Sequence, residues 1–134
     1  MDIEEQFEVF EQKHGLFIPE DLKSYFATCS ASDYDRDMFA FYGFDGFKTV
    51  KDEVGDFGGI PDYRNIVNIL SDHQNCFVFM EYCIHLCVYA IRLYKEPVDV
   101  NEVYVILGDN FKVIANSFSG FLKLYFNDDD SILI

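Results

Sequence analysis

A chain of 134 residues, half of them hydrophobic, is long enough to build one folded domain and too apolar for disorder. Its 24 acidic residues against 10 basic ones give a formal charge of -14, and Lys and Arg are scattered singly, so a nucleic-acid or anionic-membrane partner is not expected. No apolar run approaches the roughly 20 residues that cross a bilayer, and the acidic start Met1-Asp2-Ile3-Glu4-Glu5 lacks the basic region of a secretory signal.

The first predicted element is a helix. Ile3, Phe7 and Phe10 fall at i, i+4 and i+7, with Glu4, Glu5, Glu8 and Glu11 mostly on the other side. Gly15 suits the left-handed position that ends it. A second helix starts at Pro19. Glu20 and Asp21 follow where the helix dipole favours anions, and Leu22, Tyr25, Phe26 and Cys29 form its stripe. Residues 30–37 read as a polar loop and 38–44 as a strand. Thr49 is the expected cap of a short helix, and the glycine-rich stretch 55–59 lacks the spacing of a phosphate-binding loop. Pro61 opens a third major helix with Tyr63, Ile66, Val67 and Leu70 inward.

Strands follow. Residues 77–80 form one. Over 84–91, Ile84, Leu86, Val88 and Ala90 alternate with His85, Cys87, Tyr89 and Ile91, which reads as a long central strand apolar on both faces. Residues 103–107 and 111–115 flank Gly108-Asp109-Asn110 as a hairpin with a three-residue loop. Ser117 caps a closing helix whose stripe is Phe118, Phe121, Leu122 and Tyr125. After it, Asp128, Asp129 and Asp130 are expected in solvent. The order predicts a single α+β domain over 1–134: a central, mostly antiparallel sheet flanked by N-terminal helices and a C-terminal helix.

Residues able to carry chemistry are few. Cys29, Cys76, Cys83 and Cys87 all sit in apolar segments, as reduced core thiols do, which points to a reducing, cytoplasmic compartment. Cys83, His85 and Cys87 share one face of the predicted strand, with Cys76 nearby. The C-x2-C turns of structural zinc sites are absent, so no metal and no cofactor is expected. His14, His73 and His85 accompany no nucleophile signature, and no carboxylate pair stands out among so many. No catalytic residue is assigned, and the chain is read as a non-enzyme.

Four segments resemble the SUKH superfamily (Smi/Knr type). Residues 18–26, Ile-Pro-Glu-Asp-Leu-Lys-Ser-Tyr-Phe, resemble the start of its second helix. Residues 61–66 and Tyr89-Ala90-Ile91-Arg92-Leu93 follow, and residues 114–122, Ile-Ala-Asn-Ser-Phe-Ser-Gly-Phe-Leu, are similar to its closing helix. Gly120 stands where that helix usually carries Glu, which removes a capping-box partner for Ser117. The resemblance spans nearly the whole chain. It implies a central sheet with flanking helices and a non-enzymatic role. It further implies an immunity protein that neutralises a toxin domain in the cytosol, of a polymorphic or contact-dependent system; the acidic charge separately suits a basic nuclease as that toxin. An intracellular regulatory scaffold binding a peptide or protein is the alternative. A small-molecule binder or enzyme with an acidic cleft is a third class.

The motif residues read as caps and core, so they do not name the contact surface. The acidic stretch 33–62 is the expected contact: Asp33, Asp35, Asp37, Asp45, Asp52, Glu53, Asp56 and Asp62, with Tyr34 and Phe57 among its aromatics. Tyr42, Phe44 and Phe47 interleave with them. A solvated acidic face over ordinary core aromatics accounts for the same pattern.

Overall fold

The protein is described from a computed structural model, which covers residues 2–29, 35 and 37–133. Asp2 starts helix α1 (Ile3–His14) by accepting a hydrogen bond from the Glu5 amide, and Gly15 ends it at a φ of 66°. Helix α2 (Glu20–Thr28) follows, then strand β1 (Phe39–Phe41) and β2 (Lys48–Thr49). Thr49 caps the short helix α3 (Val50–Val54), accepting from the Asp52 amide at 3.2 Å. One turn of helix, α4 (Ile66–Ile69), leads to β3 (Cys76–Tyr82), β4 (Cys87–Arg92), β5 (Val103–Leu107) and β6 (Asn110–Ala115). Helix α5 (Phe118–Phe126) closes the chain, and the Ser117 hydroxyl accepts from the Gly120 amide at 2.9 Å as its cap.

The strands run in the order β1-β3-β4-β5-β6, with β2 also on β3, and every pair is antiparallel. Strand β4 sits in the middle, buried on both faces from Cys87 to Ile91, as its unbroken apolar run requires. Helices α1, α2 and α5 cover one face. There Phe7, Leu22, Phe26, Phe118 and Phe121 pack on Phe77, Phe79, Tyr89 and Ile91. The Phe79 ring meets Phe118 and Phe121 edge-on at 5.4 and 5.2 Å. Asp21 ties α2 to α5, accepting from the Ser119 amide and hydroxyl at 2.9 Å each. Helices α3 and α4 cover the other face, where Val50, Val54, Tyr63 and Ile66 meet Val78, Val88, Ala90 and Ile106. The α+β class, the antiparallel sheet and the flanking helices are those the sequence predicts. Among the described residues, no helix is long and apolar enough to cross a membrane.

Four local expectations are corrected. Pro61 does not open a helix: it lies in a loop, and Asp62 instead closes a tight turn by accepting from the Arg64 amide at 3.0 Å. Tyr63, Ile66 and Leu70 are buried all the same, so the inward spacing was right and the helix too long. The strand expected over 84–91 begins only at Cys87; residues 83–86 turn the chain between β3 and β4. The later hairpin turns on Gly108 and Asp109 alone, because Asn110 already pairs with Leu107. Finally, Cys76 and Cys87 are buried, whereas Cys29 and Cys83 are exposed.

Candidate functional site

The antiparallel order places the β3–β4 and β5–β6 turns at the same end of the sheet. The loop over 55–63, which follows α3, lies against both. The Tyr63 hydroxyl donates toward the His85 carbonyl at 2.7 Å and lies 3.1 Å from that of Leu86. A Cβ on Gly108 would come within 3.2 Å of the Asp62 carbonyl, so the β5–β6 turn approaches the loop through a glycine.

The β3–β4 turn has an uncommon backbone. Cys83, Ile84 and His85 have φ values of 51°, 53° and 64°, three left-handed residues in succession without a glycine. Each such residue costs about 1–2 kcal/mol, and a β-branched Ile is the least suited to it. Tertiary contacts hold the turn. Tyr63 engages two of its carbonyls, and Cys83 donates its amide to the Met38 carbonyl at 2.8 Å. The conformation swings the His85 ring back over the sheet, where it stacks on Phe57 with centroids 5.8 Å apart.

There His85 joins a charge cluster. Nδ1 lies 3.2 Å from Glu81 Oε2, and Nε2 lies 3.4 Å from Glu53 Oε1. Glu81 projects from β3 beneath α3 and is only 5% exposed. The Tyr42 hydroxyl sits between the carboxylates, 2.7 Å from Glu81 and 3.0 Å from Glu53, and its one proton serves one of them at a time. The hydrogen bond to Glu53 and the fields of both carboxylates raise the His85 pKa above its ordinary value, against burial. Burial raises the Glu81 carboxyl, with His85 opposing. For Glu53, burial acts upward, but hydrogen bonds from His85 and Tyr42 prevail and its pKa is lowered. Tyr42 is pushed up by burial and then by Glu53, which keeps it a donor. The ring therefore bridges Glu53 and Glu81 and latches the turn to α3 and β3, the more strongly when it is protonated.

Glu53, Glu81 and His85 have ligand atoms within 4.8 Å of one another, the one such group among the described residues. A cation placed there would have to displace both ring hydrogen bonds and compete with Tyr42. The cysteines expected beside His85 do not join it: Cys83 faces solvent and Cys87 is buried in the layer under α5.

The predicted contact stretch divides. Glu53, Asp56, Phe57 and Asp62 come to the turn end of the sheet. Asp62 is bound by the Arg64 guanidinium at 2.8 Å, whose hydrogen bonds hold its carboxyl down at about 2. Asp45 is exposed on the turn Phe44–Gly46, and Asp52 borders a groove with Lys13 and His14 of α1. Asp35 is structural: it accepts from the Asp37 and Phe39 amides at 2.9 Å and from the Tyr125 hydroxyl. It lies with Asp37 beside α5 and β1, away from the α3 layer. Phe47 is buried and Phe44 half-buried in the aromatic core. Asp33 and Tyr34 lie outside the described residues.

Sequence reasoning missed Glu81 and Ile60 at this end, put Ile84 and Leu86 in a strand, and weighed His85 only as a metal ligand or catalytic group. One signal was present: Glu81 is the lone carboxylate in an apolar run that ends at a turn. Compared with family models, curated proteins and solved structures, the chain gives no match.

Proposed function

We propose that the chain is a non-enzymatic, SUKH-type immunity protein that binds a toxin domain in the cytosol and neutralises it. One observation carries the binding role: apolar side chains stand exposed on a braced end of a molecule otherwise kept apart from others by its charge of -14. The family resemblance supports the class of partner. Its motif residues do the structural work expected of them, with Leu22, Phe118 and Phe121 buried and Ser117 and Asp21 capping and tying α5. A basic toxin domain, such as a nuclease that must itself hold a phosphate backbone, fits the acidic surface and is steered to it.

The test is co-expression with a toxin-domain candidate drawn from the neighbouring genes. Cells carrying both survive at the rate of cells without toxin. Cells that die as fast with this protein as without it remove the immunity reading and leave a regulatory protein-binding scaffold as the better account.

A further inference from the structure

Four apolar residues gather at the turn end of the sheet. Ile60 is 99% exposed, Ile84 69%, and Phe57 and Leu86 40% each. They belong to two segments joined by the Tyr63 hydrogen bonds and by the stacking of Phe57 on His85. The segments are held, so their apolar groups are presented without the ordering cost a floppy loop would bring to binding. Ile84 is kept in solvent by a left-handed backbone that its own side chain disfavours. Internal packing gains little from it.

The exposed charge of this end is acidic. Residues 53–63, 83–86 and 107–110 contain Glu53, Asp56, Asp62 and Asp109 and no Lys or Arg; His85 engages Glu53, and Asp56 and Asp109 stand exposed beside the Asp62–Arg64 pair. Arg64, the next residue along, is already bound to Asp62. Exposed apolar groups with carboxylates in the same segments suit a protein contact, in which an apolar core lies inside a charged rim. The sign of the rim selects the occupant. A second copy would set like charges against each other, and a nucleic acid or anionic membrane would be repelled.

We propose that the turn end of the sheet, centred on Ile60 and Ile84, is the docking surface, and that its occupant is a protein surface with an apolar centre ringed by Lys and Arg. This rests on the protein-binding reading above but not on the partner being a toxin. Asp35, Asp37 and the acidic tail then serve long-range steering rather than contact.

The experiment uses the purified full chain and two synthetic probes of equal charge, a peptide alternating Lys with Leu and an oligolysine, followed by backbone amide shifts. The Lys–Leu peptide is expected to perturb residues 57–60 and 83–86 and to keep binding at salt that releases oligolysine. An Ile60→Ser/Ile84→Ser double variant, with an unchanged melting temperature, is expected to bind it about tenfold more weakly. Perturbation centred instead on residues 128–130, or equal binding by the double variant, overturns the proposal. Co-expression with that toxin-domain candidate separates the two readings. If wild type and double variant protect equally, this surface is wrong and immunity stands. If wild type fails to protect while the peptide maps to the turn end, immunity is wrong and the surface stands.

Discussion

The two faces of the sheet solve different problems. Under α1, α2 and α5, aromatic rings pack among aliphatic side chains, and polar groups appear as caps and ties: Ser117 on Gly120, Asp21 on Ser119. At the end of the α3 face, a carboxylate is buried, an imidazole bridges two acids, three residues sit left-handed, and Ile60 and Ile84 face water. The first region lowers the free energy of the fold. The second holds a conformation that packing alone would not choose. Strain and exposed apolar surface concentrated in one place indicate a use beyond stability.

The comparison breaks most visibly at Phe121. Phe121→Ala leaves a cavity against Phe79 and Tyr89 and is expected to cost about 3–5 kcal/mol, read as a shifted denaturation midpoint, while the surviving folded molecules bind a partner as before. A neutral result would mean that the α5 face is not the stabilising one. Ser117→Ala should cost less, about 0.5–2 kcal/mol, by freeing the Gly120 amide, with chemical denaturation as the measure.

At the other end the expected effects are smaller and depend on pH. His85 has a folded pKa above its ordinary 6.5. The stability it contributes is full below that unfolded value and is lost as pH rises through the folded one. Glu81, also raised, acts in the same sense from above its ordinary 4.5, while the contribution of Glu53, lowered, is lost only on acidification. The melting temperature of the wild type should therefore decline from pH 6.5 upward, and His85→Gln should remove His85's share of that decline. Identical profiles for the two proteins would show that the ring does not latch the turn. Smallest of all, Ile84→Gly exchanges a strained residue for one at ease with positive φ. The relieved strain of about 1–2 kcal/mol, less about 0.5–1 kcal/mol of glycine entropy, predicts stabilisation by up to about 1.5 kcal/mol. A clear loss in thermal unfolding would mean that Ile84 packs for stability.

The aromatic face was legible in the sequence because its signals are local. The 3.6-residue spacing of Phe7 and Phe10, the Gly15 stop, the Ser117 cap and the apolar run of β4 each declare themselves within a few residues. The turn end was not, since tertiary contacts override local preference there. Ile84 and Leu86 alternate as a strand should, and residues 83–86 carry no Gly, Pro or Asn to mark a turn. The chain reverses because Tyr63 binds the His85 and Leu86 carbonyls, and the distant Glu53 together with Glu81 on β3 holds the ring. Pro61 misled for a related reason: it suits a helix start, but the side chain of Asp62 captured the Arg64 amide first. Within the acidic stretch, composition singled out Asp56, Phe57 and Asp62, and had no means of separating them from Asp35, whose role is to accept hydrogen bonds from β1 and Tyr125.

The division of labour between the two regions is tested most directly by hydrogen exchange on the chain bound to the Lys–Leu peptide, compared with the free chain. The account predicts that binding adds protection at residues 56–63 and 83–86 and leaves Phe118–Phe126 unchanged. Protection appearing on α5, with the turn end exchanging as freely as before, would contradict it.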